Sequence, residues 1–146
     1  MKEISMQTVV STINKLSRDH EGALAEIDFV VGMSRGGLIP AALIATRLNK
    51  PLVAIYINKQ DEIFFDRGAW IKDKNVLFVD DICRTGSTML LAVKKIKGSK
   101  PKSIKTLTLF TVTSITKQKT PDIAKETVMD LILPWDHDRM NQETNS

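Results

Sequence analysis

The chain has one cysteine, no long apolar run and no large excess of either charge. Each scarcity removes a class of explanation. A single thiol, Cys83, forbids an internal disulfide and fits a reducing, cytoplasmic setting. Neither His20 nor His137 is near it in sequence, so Cys83 reads as a small packing residue rather than a nucleophile. No stretch approaches the ~20 apolar residues of a membrane span. The opening Met1-Lys2-Glu3-Ile4-Ser5-Met6-Gln7 has no signal-peptide core. A net charge of +4, carried by scattered lysines, is no nucleic-acid stripe, although it favours polyphosphate. There is no internal repeat, no low-complexity tract and no G-x-G-x-x-G fingerprint. Gly32 and Gly37 have the spacing of a nucleotide P-loop, but Leu38 and Ile39 stand where Lys and Ser/Thr are required. With 146 residues, one domain with a sizeable core is expected, and two typical domains are not.

What is present centres on the stretch from Val76 to Thr88, VLFVDDICRTGST. Four apolar residues suit a strand buried on both faces, as in parallel sheets. They end in the adjacent acids Asp80 and Asp81, then reach the turn Thr85-Gly86-Ser87-Thr88, which opens a helix running to Lys97. Ligands of open α/β sheets bind beyond the carboxyl ends of such strands. Free backbone N–H groups, hydroxyls and the positive helix end make the turn an anion site, most simply for a phosphate. Paired carboxylates beside it can bind ribose hydroxyls or magnesium. Together they describe a clamp for a sugar phosphate.

The pattern repeats upstream. The spacing of Val9, Val10, Ile13 and Leu16 predicts an amphipathic helix over 5–18, closed by a turn at Asp19–Gly22. A buried strand from Ile27 to Met33 ends at Ser34-Arg35-Gly36-Gly37, and a helix follows from Leu38 to Leu48, with Pro40 in its first turn. Two glycines let backbone approach a ligand closely, and Arg35 adds charge. Pro51–Ile57 is the next strand. Residues 58–75 are polar with Phe64, Phe65 and Trp70 interspersed, which predicts a short hairpin or a mobile flap. Gly98–Pro101 stops the helix after the acid pair. Ile104–Val112 alternates as a strand, 113–125 reads as a loop containing Pro121, and Thr127–Leu133 reads as a last strand before Pro134-Trp135-Asp136. A frayed polar tail is expected over 140–146. The fold class is therefore α/β: a single domain over 1–146, with a mainly parallel twisted sheet flanked by helices.

Val79–Thr88 resembles the phosphoribosyl-pyrophosphate (PRPP) signature of the type I phosphoribosyltransferases. Ser34-Arg35-Gly36-Gly37 resembles the pyrophosphate loop of the same enzymes, most closely the SRGG of the xanthine–guanine branch. Leu131–Asp136 resembles the C-terminal segment of that branch, roughly aromatic-Ile-x-x-Pro-Trp-Asp/Glu. The resemblance covers about residues 27–136 and implies transfer of phosphoribosyl from PRPP to a nucleobase, a 6-oxopurine first, in purine salvage. It further implies that Asp80 and Asp81 are catalytic, that Asp81 holds Mg2+, and that Ser34, Arg35, Gly36, Gly37, Thr85, Gly86, Ser87 and Thr88 bind PRPP with the acid pair. A flexible hood loop over 58–75 would close over the site, excluding water, with Arg67 the basic residue best placed to reach phosphate. Leu131 and Ile132 would meet the base, Trp135 being read as a core or interface aromatic. A homo-oligomer is implied by analogy.

Two positions depart from the 6-oxopurine pattern. Arg84 stands immediately before the Thr-Gly turn, where that branch carries an acid; arginine can only donate, for instance to a purine N7 or O6. No lysine ends the strand at Val112-Thr113, the nearest being Lys117. Hence two alternatives: a PRPP-binding regulatory module, or a phosphoribosyltransferase for another base.

Overall fold

The computed structural model describes residues 1–136; His137 and the polar tail expected over 140–146 lie outside them. The elements are β1 (Lys2–Glu3), α1 (Met6–Asp19), α2 (Glu21–Ala25), β2 (Phe29–Ser34), α3 (Leu38–Leu48), β3 (Leu52–Ile57), β4 (Ile63–Phe64), a 3-10 turn (Gly68–Ile71), β5 (Asn75–Cys83), α4 (Ser87–Lys97), β6 (Ser103–Val112), β7 (Ile123–Thr127) and β8 (Leu131–Ile132). Six strands form one sheet in the order β4-β3-β2-β5-β6-β7, and every pairing in it is parallel except β3 with β4. β1 and β8 form a separate parallel pair.

Side chains alternate across a strand, so a sheet covered on both faces must be apolar at every position. β5 does this. Leu77 and Val79 join α1 and α3, through Val9, Ile13, Ala41 and Ile44, in one core, while Val76 and Phe78 join Met89, Ala92, Val93 and Ile96 of α4 in another. The molecule is thus three layers deep. The carboxyl ends of β2 and β5 lie side by side at the centre of the sheet, where the strand order reverses direction.

Most elements fall where periodicity places them: α1 starts at Met6 with Ser5 accepting from the Thr8 N–H, and α3 has the expected bounds. The polar stretch forms the hairpin, with Tyr56 opposite Phe64 and Ile57 opposite Ile63. Three readings need correction. A short helix, α2, follows His20 where only a turn was expected. The expected loop over 113–125 ends early in β7, an edge strand in which Ile123 alone is buried, so its sequence IAKET carries no strand period. The expected strand Thr127–Leu133 is divided: Val128 and Met129 are exposed at a bend, and β8 leaves the main sheet to pair with β1, an element too short to be seen in sequence.

Candidate functional site

The cavity of about 360 Å³ at the end of β5 is lined by the continuous run Asp80–Met89 and by Thr108 of β6. β5 delivers the two acids, and their carboxylates are tied locally: Oδ1 of Asp80 accepts from the Asp81 N–H at 2.8 Å, and Oδ1 of Asp81 accepts from the Ile82 N–H at 2.7 Å. Loss of water around the Asp80 carboxyl, followed by the negative charge of Asp81, holds Asp80 well above the usual aspartate range. The end of β5 is thus built to carry one charge readily and a second only against a cation or hydroxyl donors.

The turn at Thr85–Thr88 leads into α4 with no side chain capping the helix. Gly86 sits at φ 82°, a left-handed conformation, and a Cβ there would lie 2.1 Å from the carbonyl oxygen of Lys119. The β6–β7 loop is therefore pressed onto the turn, and the Gln118 N–H donates to the Thr85 carbonyl at 2.7 Å. Thr85 Oγ1 accepts from the Ser87 N–H at 3.2 Å. The result is an uncapped helix start with exposed Thr85, Ser87 and Thr88 around it, an arrangement that receives an anion.

The loop after β2 closes against the acids. A Cβ on Gly36 would meet Asp81 Oδ2 at 2.3 Å, and one on Gly37 would meet the Asp80 Cα at 2.9 Å. Only glycines let the loop lie this close to the Asp81 carboxylate and the Asp80 backbone. The Ser34–Arg35 peptide is cis, and the Arg35 side chain is exposed. Sequence placed Asp80–Asp81 and Thr85–Thr88 in one stretch and Ser34–Gly37 in another; the fold brings the two together at one edge.

Other expected residues are placed differently. Leu131 and Ile132 are buried, 4% and 1% exposed, and their backbones pair with Lys2 and Glu3 of β1. Arg84 directs Nε to both carboxylate oxygens of Asp130 at 3.0 Å. Arg67 is not brought to the site. Its guanidinium stacks 4.8 Å from the ring centroid of Trp70, which in turn lies 6.3 Å from that of Phe29. Phe29 begins β2, and the site lies at the other end of that strand, ~16 Å away at ~3.3 Å per residue. Lys117 folds its ammonium back onto the carbonyls of Val112 and Ile115.

Two participants were missed in sequence. Trp135 packs against the core as expected, but its indole Nε1 also donates to Asp81 Oδ2 at 2.9 Å. Asp130, the partner of Arg84, occupies the aromatic position of the resembled C-terminal pattern, which is the signal that could have singled it out. Among the described residues no group of three or more His, Cys, Asp or Glu is clustered as a metal cage. The acid pair therefore offers two carboxylates rather than a complete coordination sphere.

The chain matches the phosphoribosyl transferase domain family over residues 3–143. It resembles the structure of a purine phosphoribosyltransferase from Pyrococcus horikoshii Ot3 at a TM-score of 0.79 and 27% identity, over 92% of both chains. It shares its fold with a xanthine-guanine-hypoxanthine phosphoribosyltransferase of Helicobacter pylori, at a TM-score of 0.78 and 17% identity over 98% of both chains. An orotate phosphoribosyltransferase of Sulfurisphaera tokodaii is 30% identical over 100 residues, which span 66% of this chain and 47% of that enzyme. With the matched domain spanning nearly the whole chain and the same architecture in each solved relative, the chain belongs to the phosphoribosyl transferase domain family.

Proposed function

We propose that this protein transfers the phosphoribosyl group of PRPP to a 6-oxopurine, releasing pyrophosphate and forming a nucleoside monophosphate for purine salvage. The convergence of the glycine loop, the acid pair and the uncapped turn on one edge carries this reading. It matches, in order, the pyrophosphate, the ribose and the 5′-phosphate of one molecule. Thr85–Thr88 grip the 5′-phosphate through backbone N–H groups and hydroxyls, and Ser34–Gly37 hold the departing pyrophosphate. Asp80 and Asp81 receive the ribose hydroxyls and stabilise positive charge as the leaving group departs from an oxocarbenium-like centre. Catalysis is then mainly positioning and electrostatics.

Two carboxylates suit magnesium, which keeps several waters and takes its remaining oxygens from substrate phosphates. Asp81, with Asp80 beside it, would hold the ion, which when bound offsets the charge of the pyrophosphate. The base lies between Arg84 and the backbone of Leu131 and Ile132. The likeness to the Pyrococcus purine enzyme supports a purine. Closure of 58–75 as a hood requires Arg67 to leave Trp70 before it reaches phosphate. We place the protein in the cytoplasm as a homo-oligomer.

Arg84 and the relative from Sulfurisphaera motivate a second reading, in which the base is orotate. A third is a PRPP-binding regulatory module. The deciding experiment is pyrophosphate release with PRPP, magnesium and guanine, xanthine, hypoxanthine, adenine, uracil or orotate. Release with a 6-oxopurine supports the proposal; release with orotate alone favours the second reading. PRPP binding without release for any base overturns transfer and favours the regulatory module.

A further inference from the structure

Arg84 lines the cavity between the acid pair and the Thr85–Thr88 turn, and its guanidinium pairs with Asp130. Both Asp130 oxygens lie 3.0 Å from Arg84 Nε, and the two side chains are 35% and 26% exposed, so water screens the pair only in part. Arg84 Nη2 is buried with no hydrogen-bond partner. Leaving that donor unmet is costly, and a ligand bringing an acceptor within reach recovers that cost.

Charge adds a second constraint. Asp130 sets its carboxylate against the Arg84 charge, and Asp80 and Asp81 line the same cavity as Arg84. Lys117, between β6 and β7, is already engaged by two backbone carbonyls, and the Arg35 side chain is exposed. An arginine able to attract an anion has been neutralised, yet its donors are kept.

We propose that the Arg84–Asp130 pair selects the base by charge, admitting a neutral base with adjacent hydrogen-bond acceptors and refusing one that carries a carboxylate. Asp130 is the positioning residue, acting through Arg84. This rests on the phosphoribosyl-transfer reading of the site and narrows its substrate class.

Product nucleotides test it by calorimetric binding, with no turnover needed. Inosine 5′-monophosphate carries a neutral base, and orotidine 5′-monophosphate a base with a carboxylate. The wild-type protein should bind the former on the order of tenfold more tightly. Asp130→Asn should lower that ratio by about tenfold, Asp130→Glu should restore it, and Arg84→Gln should raise it. Asp130→Asn should leave PRPP affinity within about twofold, since Asp130 is not among the residues that line the cavity. A ratio unchanged in Asp130→Asn, or a wild-type preference for the orotidine nucleotide, overturns the selector and leaves transfer standing where PRPP still binds. If Asp130→Asn does not fold, the direction of change in Arg84→Gln decides alone. Failure of the wild type to bind PRPP or either nucleotide overturns the transfer reading, and the selector with it.

Discussion

The indole Nε1 of Trp135 donates a 2.9 Å hydrogen bond to Oδ2 of Asp81, joining residues 54 positions apart. The bond ties the C-terminal segment to the acid pair and leaves Asp81 with both oxygens occupied, one by the Ile82 N–H and one by the indole. Trp135→Phe keeps the apolar body and removes the donor. A hydrogen bond to a charged group contributes ~1.5–3 kcal/mol, so a stability loss of about 1–2 kcal/mol is expected in urea unfolding. The KM for PRPP should rise more than kcat falls, because the unheld carboxylate still reaches the ribose.

Gly86→Ala places a methyl group where the Lys119 carbonyl lies, at a backbone angle unfavourable to L-residues. Left-handed conformation alone costs ~1–2 kcal/mol, and displacing the loop adds to it. The expected outcome is about 3 kcal/mol of destabilisation and loss of PRPP binding by titration calorimetry. Retained PRPP affinity would show that the turn does not grip phosphate.

Asp80 gives a pH dependence of defined sign. Its folded-state value is raised, first by burial and then by Asp81, so the native protein keeps that proton to higher pH than the unfolded chain does. The proton's contribution to stability is therefore lost as pH rises from the ordinary aspartate range, about 4, through the raised folded value. Asp80→Asn removes this slope and should be more stable than wild type near neutrality. Thermal melts of both proteins across that range check it; parallel profiles would mean that Asp80 titrates normally. Combined with Asp81→Asn, the same change should abolish pyrophosphate release while the fold survives.

Cys83 is 4% exposed, and burial pushes its thiol up. Thiolate is the reactive form, so modification by a disulfide reagent should be slow in the native protein and rapid in denaturant. Fast native labelling would show that the end of β5 opens readily.

The candidate site was legible in sequence wherever its information is local. An apolar run, two acids and a Thr-Gly turn identify strand, carboxylates and helix start without reference to anything distant. The Gly36-Gly37 loop was legible as a close-approach loop, though not what it approaches, because the Asp81 carboxyl lies in another strand. Trp135 was read as packing for the same reason: an indole shows its apolar body in sequence and its hydrogen-bond partner only in three dimensions. Arg67 was selected by charge alone, and its position is set by Trp70, an aromatic counted as hairpin packing. β7 was invisible because an edge strand buries almost nothing. Arg84 was legible as an anomaly, and Asp130 turned the anomaly into a pair.

β1 and β8 have a consequence for assembly. Lys2 lies opposite Leu131 and Glu3 opposite Ile132, so this ladder joins the two extremes of the described chain. The entropy of closing a loop grows with its length, which makes this short ladder the most expensive join in the molecule and one of the weakest once made. The stretch from Asp80 to Thr88 can form from neighbouring segments, whereas β8 waits for the last part of the chain to find the first. A bulky group fused ahead of Lys2 would thus act at a distance in sequence and next door in space, disturbing β8 before it disturbs the main sheet.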